Sequence, residues 1–96
     1  MSLDTLTVAS FEPLVGDAFT IAGTPDDLTL VLETATVLAD RPGGRDPFSL
    51  VFRGPPEPLL AQAICGLHHA QLGRLEIFVV PLGRDEAGVR YEAIFS

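Results

Sequence analysis

The most regular pattern of apolar and polar positions lies between Pro47 and Gly54. Large apolar side chains alternate with smaller or polar ones along the run Phe48-Ser-Leu-Val-Phe-Arg53. A period of two is typical of a strand that presents one face to a core. Three prolines follow between residues 55 and 58, and proline cannot continue a strand ladder because it lacks the N–H donor. The pattern predicts a central strand that ends at Gly54.

Comparable alternation on both sides of this strand predicts five more strands. They are expected at Ala18–Gly23, Leu28–Leu38, Leu59–His69, Arg74–Leu82 and Val89–Phe95. Clusters rich in Gly, Pro and Asp, such as residues 23–27, 40–46 and 83–88, separate most of them and predict turns or loops. The Leu59–Leu67 stretch also has helical character, but Ile64, Gly66 and the neighbouring strand patterns favour a strand.

The second predicted strand changes phase in its middle. Its apolar residues occupy even positions up to Leu32 and odd positions from Ala35 onward. An extra residue in a strand produces such a shift, and bulges of this kind bend curved or closed sheets. We therefore expect a β-bulge near Glu33-Thr34.

A short helical segment is expected before the first strand. Ser10 is a suitable N-cap residue, and Pro13 is compatible with a first helical turn. One or two turns there would place Phe11, Leu14 and Val15 over an open end of the sheet.

Together these elements predict one all-β domain spanning residues 1–96. Six short antiparallel strands favour a small barrel or a tightly curled sandwich, with a short N-terminal helical turn. Closure would remove the unpaired strand edges that an apolar chain otherwise exposes to aggregation.

The composition shows that the chain has more apolar residues than one face of each strand needs, so the additional apolar surface has to be buried elsewhere. Hydrophobic residues make up 47% of the chain and charged residues 20%, and the mean hydropathy is +0.34. Two explanations are open: strands partly buried on both faces, or apolar surface placed in an interface with another subunit. Near the end of Arg74–Leu82 both faces become apolar, which predicts burial on both sides there.

Charge excludes several classes of partner. Six arginines, no lysine and thirteen acidic residues give a formal charge of −7. Nucleic acids and anionic membrane surfaces require a cationic field, so neither is expected as a partner. No apolar run approaches the roughly 20 residues that cross a bilayer, and residues 1–7 do not resemble a signal peptide. With a single cysteine, Cys65, the sequence fits a reducing cytoplasm.

The residues suited to catalysis or metal binding do not form a recognisable set. His68 and His69 are adjacent, so on a strand they point to opposite faces, and no third ligand has a suitable spacing. We expect one exposed and one hydrogen-bonded imidazole. Ser49 and Cys65 lack the surroundings of a nucleophile, and Cys65 fits a small buried apolar residue. We therefore expect no enzyme activity, no metal and no cofactor.

Three glutamates lie inside predicted strands, unlike most of the other acidic residues, which fall in predicted loops. We expect Glu33, Glu76 and Glu92 to pair with arginines on neighbouring strands. The candidates are Arg53, Arg74 and Arg90.

Several segments resemble a family of small bacterial proteins classed as a domain of unknown function. They are Phe11-x-x-x-Val15-Gly16-x-x-Phe19, Phe48-Ser-Leu-Val-Phe-Arg-Gly54, Gln62, His69-x-x-Leu72-Gly73, Phe78-Val-Val-Pro81 and Tyr91-Glu-Ala-Ile-Phe95. The similarity spans nearly the whole chain. It implies no known activity, but it suggests an accessory of a phage-tail-like or other multiprotein assembly.

The leading hypothesis is a non-enzymatic interaction or assembly module that binds a protein partner or itself. The alternative is a β-barrel that binds a small molecule in its interior or at one mouth. Polar side chains along the strands are the candidate recognition residues for these two functions: Ser49, Arg53, Gln62, His68, His69 and Tyr91.

Overall fold

The computed structural model describes residues 7–21, 28–38, 47–56 and 62–95. Six strands in these ranges form a closed barrel in the order β1-β2-β3-β6-β5-β4, and every neighbouring pair is antiparallel. The strands are β1 Ala18–Ile21, β2 Thr29–Val37, β3 Phe48–Gly54, β4 Ala63–His69, β5 Gly73–Asp85 and β6 Gly88–Phe95. The predicted all-β fold is confirmed, and the closed barrel is the correct one of the two predicted forms.

Some predicted segments cannot be compared with the structure. The loops expected at 23–27 and 40–46 lie wholly outside the described residues, as does the start of the strand expected from Leu59. The described part of that strand, β4, confirms a strand in preference to a helix.

Alternating residues of all six strands fill the barrel. The central strand behaves as its pattern predicts, with Phe48, Leu50 and Phe52 fully buried. The other buried apolar residues are Phe11, Leu14, Phe19, Ile21, Leu28, Leu30, Leu32, Leu67, Leu75, Ile77, Val79, Val89, Tyr91, Ala93 and Phe95. One continuous core therefore joins the strands to the segment that precedes β1.

That segment covers one end of the barrel. It consists of helix α1, Val8–Phe11, and a 3₁₀ turn, Glu12–Leu14. The Phe11 ring lies 5.9 Å from the Phe48 ring and 5.7 Å from the Phe95 ring, and the Phe48 and Phe95 rings stack at 4.7 Å. This confirms the predicted covering role for Phe11 and Leu14, whereas Val15 remains 46% exposed.

The helix begins earlier than predicted. Its N-cap is Thr7, and Ser10 occupies the third helical position. From there the Ser10 Oγ accepts a hydrogen bond from the Thr7 N–H at 3.1 Å. The serine therefore caps the helix from inside its first turn, which satisfies an N–H that the helix itself cannot pair. Pro13 lies in the 3₁₀ turn instead of the first turn of α1.

The predicted bulge in β2 is present. The register between β2 and β3 shifts between Leu32 and Thr34, so Glu33 is the extra residue. Because the phase changes there, Leu32 before the bulge and Ala35 after it both face the interior. The Glu33 carboxylate lies on the outer surface.

Strand β5 differs from its prediction in length and burial. It continues through Gly83 to Asp85, where a loop was expected, and only Glu86-Ala87 form the turn to β6. A second register shift, between Pro81 and Gly83, allows this extension by bending the strand at Leu82. The expected burial of both faces is wrong, because Phe78 is 51% exposed and Leu82 is 55% exposed.

Candidate functional site

Three of the exposed large apolar side chains lie side by side on the outer surfaces of β4, β5 and β6. Ile64, Phe78 and Ile94 are 68%, 51% and 55% exposed, and we call them the apolar row. Ile64 and Phe78 are directly paired across β4 and β5. Phe78 and Ile94 each lie two residues from the pair that Val80 and Glu92 form between β5 and β6. The row therefore crosses three adjacent strands of the outer wall.

Two carboxylates border the apolar row. Glu76 is the next outward residue to Phe78 on β5, and Glu92 is the next outward residue to Ile94 on β6. On the far side of Ile94 the apolar row ends and two hydroxyl side chains follow, because Ile94 pairs with Ser49 and Ser49 pairs with Thr36. The face is thus apolar at its centre, with two carboxylates beside it, of which Glu76 also lies near Arg74 on the same strand.

An ion-pair network occupies a different part of the outer wall. Arg90 Nε donates to Glu33 Oε1 at 3.0 Å, and the Arg90 guanidinium also pairs with Asp85. Arg53 lies directly opposite Arg90 on β3, and its Nη1 is 3.8 Å from Glu33 Oε2. The β2 bulge brings Glu33 between two arginines that would otherwise repel each other. The predicted pairing of Glu33 across strands is confirmed.

Within the described ranges, the other two strand glutamates, Glu76 and Glu92, do not repeat the cross-strand pairing of Glu33. Arg74 Nη2 lies 3.5 Å from Glu76 Oε1, but both residues belong to β5, so the pair follows one strand instead of bridging two. Both side chains are about two-thirds exposed, and such surface pairs contribute little stability. Glu92 lies opposite Val51 on β3 and Val80 on β5.

An open groove adjoins the network at the start of β2 and the end of β3. Its volume is about 480 Å³. The groove is lined by Leu28, Thr29, Val31, Arg53, Gly54, Pro55 and Ala87. Among the described residues of this lining, Arg53 is the charged one, and it is partly exposed. A smaller depression of about 230 Å³ lies near the β5–β6 turn, between Leu82 and Arg90.

The two histidines differ as the sequence predicts. His68 is exposed on the outer face of β4, opposite Arg74. His69 is 4% exposed, and its ring packs 4.7 Å from the Phe19 ring. Its Nδ1 accepts hydrogen bonds from the N–H groups of Gln71 at 3.0 Å and Leu72 at 3.4 Å. His69 is therefore a hydrogen-bonded residue at the end of β4.

The second nitrogen of His69 joins two distant parts of the chain. Because Nδ1 accepts N–H groups, the ring proton lies on Nε2, which donates to Asp17 Oδ2 at 3.0 Å. Asp17 immediately precedes β1, and its backbone also accepts a hydrogen bond from the Leu32 N–H of β2 at 3.1 Å. We call His69 and Asp17 the closure pair, since they connect β4 to the start of β1.

Cys65 lies on the inner side of β4 and is only partly accessible. Burial raises the pKa of the Cys65 thiol, because the thiolate loses hydration there. A raised pKa lowers the fraction of thiolate at any given pH, and the thiolate is the reactive form.

We therefore expect slow modification of Cys65 in the folded protein. At pH 8, Ellman's reagent should react at least about tenfold more slowly with the native protein than with the protein unfolded in guanidinium. The unfolded sample is the control, because it contains the same thiol without its surroundings. Equal rates in the two samples would show that the fold does not protect this group.

The six predicted recognition residues do not form a single site. Ser49 is 6% exposed beside the apolar row, and Arg53 lines the groove. Gln62 and His68 are exposed near opposite ends of β4. The remaining two lie in the interior: His69 is in the closure pair, and Tyr91 is 1% exposed and pairs with Phe52.

The apolar row was not among the predicted recognition residues. Its sequence signal is an apolar residue in the outward phase of three strands: Ile64, Phe78 and Ile94. This signal becomes visible only when the strand order is known, because the three residues are far apart in the chain. The strand pattern alone does not distinguish such an exposed face from a second buried one.

Two further properties concern the described residues as a group. Within them, no three His, Cys, Asp or Glu side chains are close enough together to hold a metal ion. No helix in the same ranges has the length and hydropathy that a membrane-spanning helix requires.

The fold and surface define a class of small closed antiparallel barrel, with one end covered by a short helix and an apolar row on its wall. The chain belongs to the family described as Domain of unknown function (DUF6916), whose model matches residues 6–95. The match includes the helix, all six strands and the apolar row. Comparison with curated proteins found no match, and neither did comparison with solved structures.

Proposed function

We propose that this protein is a non-enzymatic interaction module that binds another protein through the apolar row. The observation that carries the proposal is the exposure of Ile64, Phe78 and Ile94 on three adjacent strands. From the family resemblance we also propose that the partner belongs to a larger assembly, either a phage-tail-like one or another multiprotein assembly.

The position of the row supports a binding role. In an antiparallel barrel the outward residues of each strand contact water and are usually polar. Apolar area that becomes buried contributes about 25 cal/mol per Å² to association, and aromatic residues are enriched at the centres of interfaces. Phe78 lies on the middle strand of the row, between Ile64 and Ile94. It is therefore the expected central contact.

The charges favour a different protein over a second copy of this chain. Each copy carries a formal charge of −7, and Glu76 and Glu92 border the row. Two rows facing each other would bring these carboxylates together, and like charges across an interface oppose binding. A partner with an apolar patch and basic residues around it would complement both the centre and the border of the row.

The experiment compares two substitutions on the same strand. Phe78→Glu places a charge in the apolar row, whereas Leu82→Glu places one at the β5 bulge, where the side chain is equally exposed. Tagged wild-type protein and both variants are used to isolate bound proteins from an extract of the source cells. We expect a partner that binds the wild type and Leu82→Glu but is lost with Phe78→Glu.

The isolated partner then allows a quantitative test. With both proteins purified, calorimetry should give a dissociation constant at least about tenfold larger for Phe78→Glu than for the wild type. Leu82→Glu should bind within about twofold of the wild type. Equal weakening by both variants would contradict a role for the row.

Light scattering tests whether a second copy of this chain binds the apolar row instead. We expect the purified wild-type protein to be monomeric at micromolar concentration. A wild-type dimer that Phe78→Glu converts to a monomer would assign the row to self-association and contradict the proposed heterologous partner.

A further inference from the structure

We propose that the groove beside Arg53 binds a carboxylate group attached to an apolar body. This inference is independent of the apolar row, which lies on β4, β5 and β6. It assigns a ligand chemistry to the groove of about 480 Å³ between the start of β2 and the end of β3.

The groove is open to solvent, and its size suits a small ligand. Its volume falls within the range of about 300–1,000 Å³ that is usual for ligand sites. Leu28, Val31 and Pro55 provide apolar contacts, and Ala87 adds one from the β5–β6 turn. Three separate segments of the chain therefore meet at the groove.

The wall between two of these segments is closely packed. A Cβ atom added to Gly88 would lie 2.0 Å from the carbonyl oxygen of Gly54, so the start of β6 lies close against the end of β3. Gly54 itself lines the groove. Ala87 directly precedes this contact, and the Gly54–Val89 pair continues it, so the Ala87 side of the groove lies next to the end of β3.

Arg53 provides the charge that selects the ligand. Among the described residues its ion pair is with Glu33, and the 3.8 Å separation is too long for a hydrogen bond. Glu33 instead accepts a 3.0 Å hydrogen bond from Arg90, which Asp85 also neutralises. Arg53 is 40% exposed, so its guanidinium can still offer N–H donors to a ligand in the groove.

The chemistry favours a carboxylate over other anions. A guanidinium and a carboxylate are both planar and form two parallel hydrogen bonds, which fixes the orientation of the ligand. A single arginine in a chain of net charge −7 attracts a phosphate dianion poorly. A singly charged group with an apolar body also gains the contacts with Leu28, Val31 and Pro55. Free carboxylic acids and the C-termini of peptides both offer this combination.

Amide NMR spectra of the full chain can test the proposal with N-acetyl-leucine as the probe. We expect saturable shifts for residues around the groove, such as Thr29 and Gly54, at concentrations up to about 20 mM. N-acetyl-leucinamide has the same apolar body without the charge, and its dissociation constant should be at least about tenfold larger. Sodium acetate, which has the charge without the body, should also bind at least about tenfold more weakly.

Two arginine substitutions provide the matched comparison. Arg53→Gln should raise the dissociation constant of N-acetyl-leucine at least about tenfold, whereas Arg84→Gln, at an exposed arginine of β5, should leave it unchanged. The spectrum without ligand checks that each variant is folded. The proposal is overturned if the acid and the amide bind equally, if both variants lose binding equally, or if no saturable shift occurs.

A peptide arm distinguishes the two sources of carboxylate. Acetyl-Ala-Ala-Leu carries the same C-terminal residue as the first probe, with two more peptide units. Binding at least about tenfold tighter than N-acetyl-leucine would identify peptide C-termini as the ligand class. Equal affinity would identify small apolar carboxylic acids. Both results support the carboxylate site and differ only in the source.

Discussion

Replacing Gly88 with alanine is expected to lower the free energy of unfolding by at least about 3 kcal/mol. Gly88 has a φ of +130°, a region that residues with a side chain rarely adopt. The new Cβ would also lie 2.0 Å from the Gly54 carbonyl oxygen. Because that oxygen belongs to the backbone, relief requires β6 to move away from β3 at the start of their ladder. Urea unfolding measures the loss, and the melting temperature should fall by about 12 °C or more.

Alanine substitutions at two other glycines distinguish the effect of the steric clash on stability from the effect of the backbone strain. Gly73 has a φ of +74°, but an added Cβ would meet no atom within 4 Å. Gly73→Ala should therefore cost only about 1–2 kcal/mol. Gly83 has open space and no positive φ, so Gly83→Ala should change stability by less than about 0.5 kcal/mol. Equal losses for Gly88→Ala and Gly73→Ala would show that contact with Gly54 is not the source.

The strands and the β2 bulge could be predicted because they depend on local alternation. Phe48 to Arg53 alternates with a period of two, and the phase change between Leu32 and Ala35 marks the extra residue Glu33. The pairing of Glu33 with the arginines followed from placing it on a strand. These features need only the neighbouring residues and the requirement that one face of each strand is buried.

The extent of β5 could not be predicted in the same way. Gly83, Arg84 and Asp85 have turn propensity, which favoured a loop. Pairing with β6 outweighs that propensity, since Gly83 lies opposite Arg90 and Asp85 lies opposite Gly88. Strand propensity depends strongly on context, and here the partner strand determines where the hairpin turns.

The exposure of the apolar row also escaped prediction. Alternation shows which residues share a face, but it does not show what covers that face. Phe78 and Val80 were therefore expected to be buried along with the inward residues of β5. The closed barrel has only one interior, and Phe78 lies outside it. The same limit applied to Tyr91, which was a recognition candidate and lies in the core.

Contacts that close the barrel are the hardest to predict, and His69 with Asp17 is the main example. The two residues are 52 positions apart, and they meet because β4 pairs with β1. The direct pairs in that ladder are Thr20 with His68 and Ile21 with Leu67. The described ladder is short, so side-chain contacts at its end contribute to closure.

His69→Ala is therefore expected to destabilise the protein by about 2–4 kcal/mol. The substitution removes the bond to Asp17, leaves the Gln71 and Leu72 N–H groups without their acceptor, and opens space beside Phe19. The matched control is His68→Ala, one residue earlier on the outer face, which should cost less than about 0.5 kcal/mol. Equilibrium unfolding in urea measures both, and similar losses would contradict a special role for the inner histidine.

A double-mutant cycle isolates the part of this loss that belongs to the closure pair. Asp17→Ala alone should cost about 1 kcal/mol, because Asp17 is half-exposed and water replaces part of its hydrogen bonding. Once His69 is alanine, removing Asp17 should cost about 1 kcal/mol less than it does in the wild type. A coupling near zero would mean that His69 acts only through the 70–72 turn and Phe19. A positive coupling free energy requires β4 and β1 to be paired, because the two side chains meet only then. It would therefore measure closure of the barrel directly.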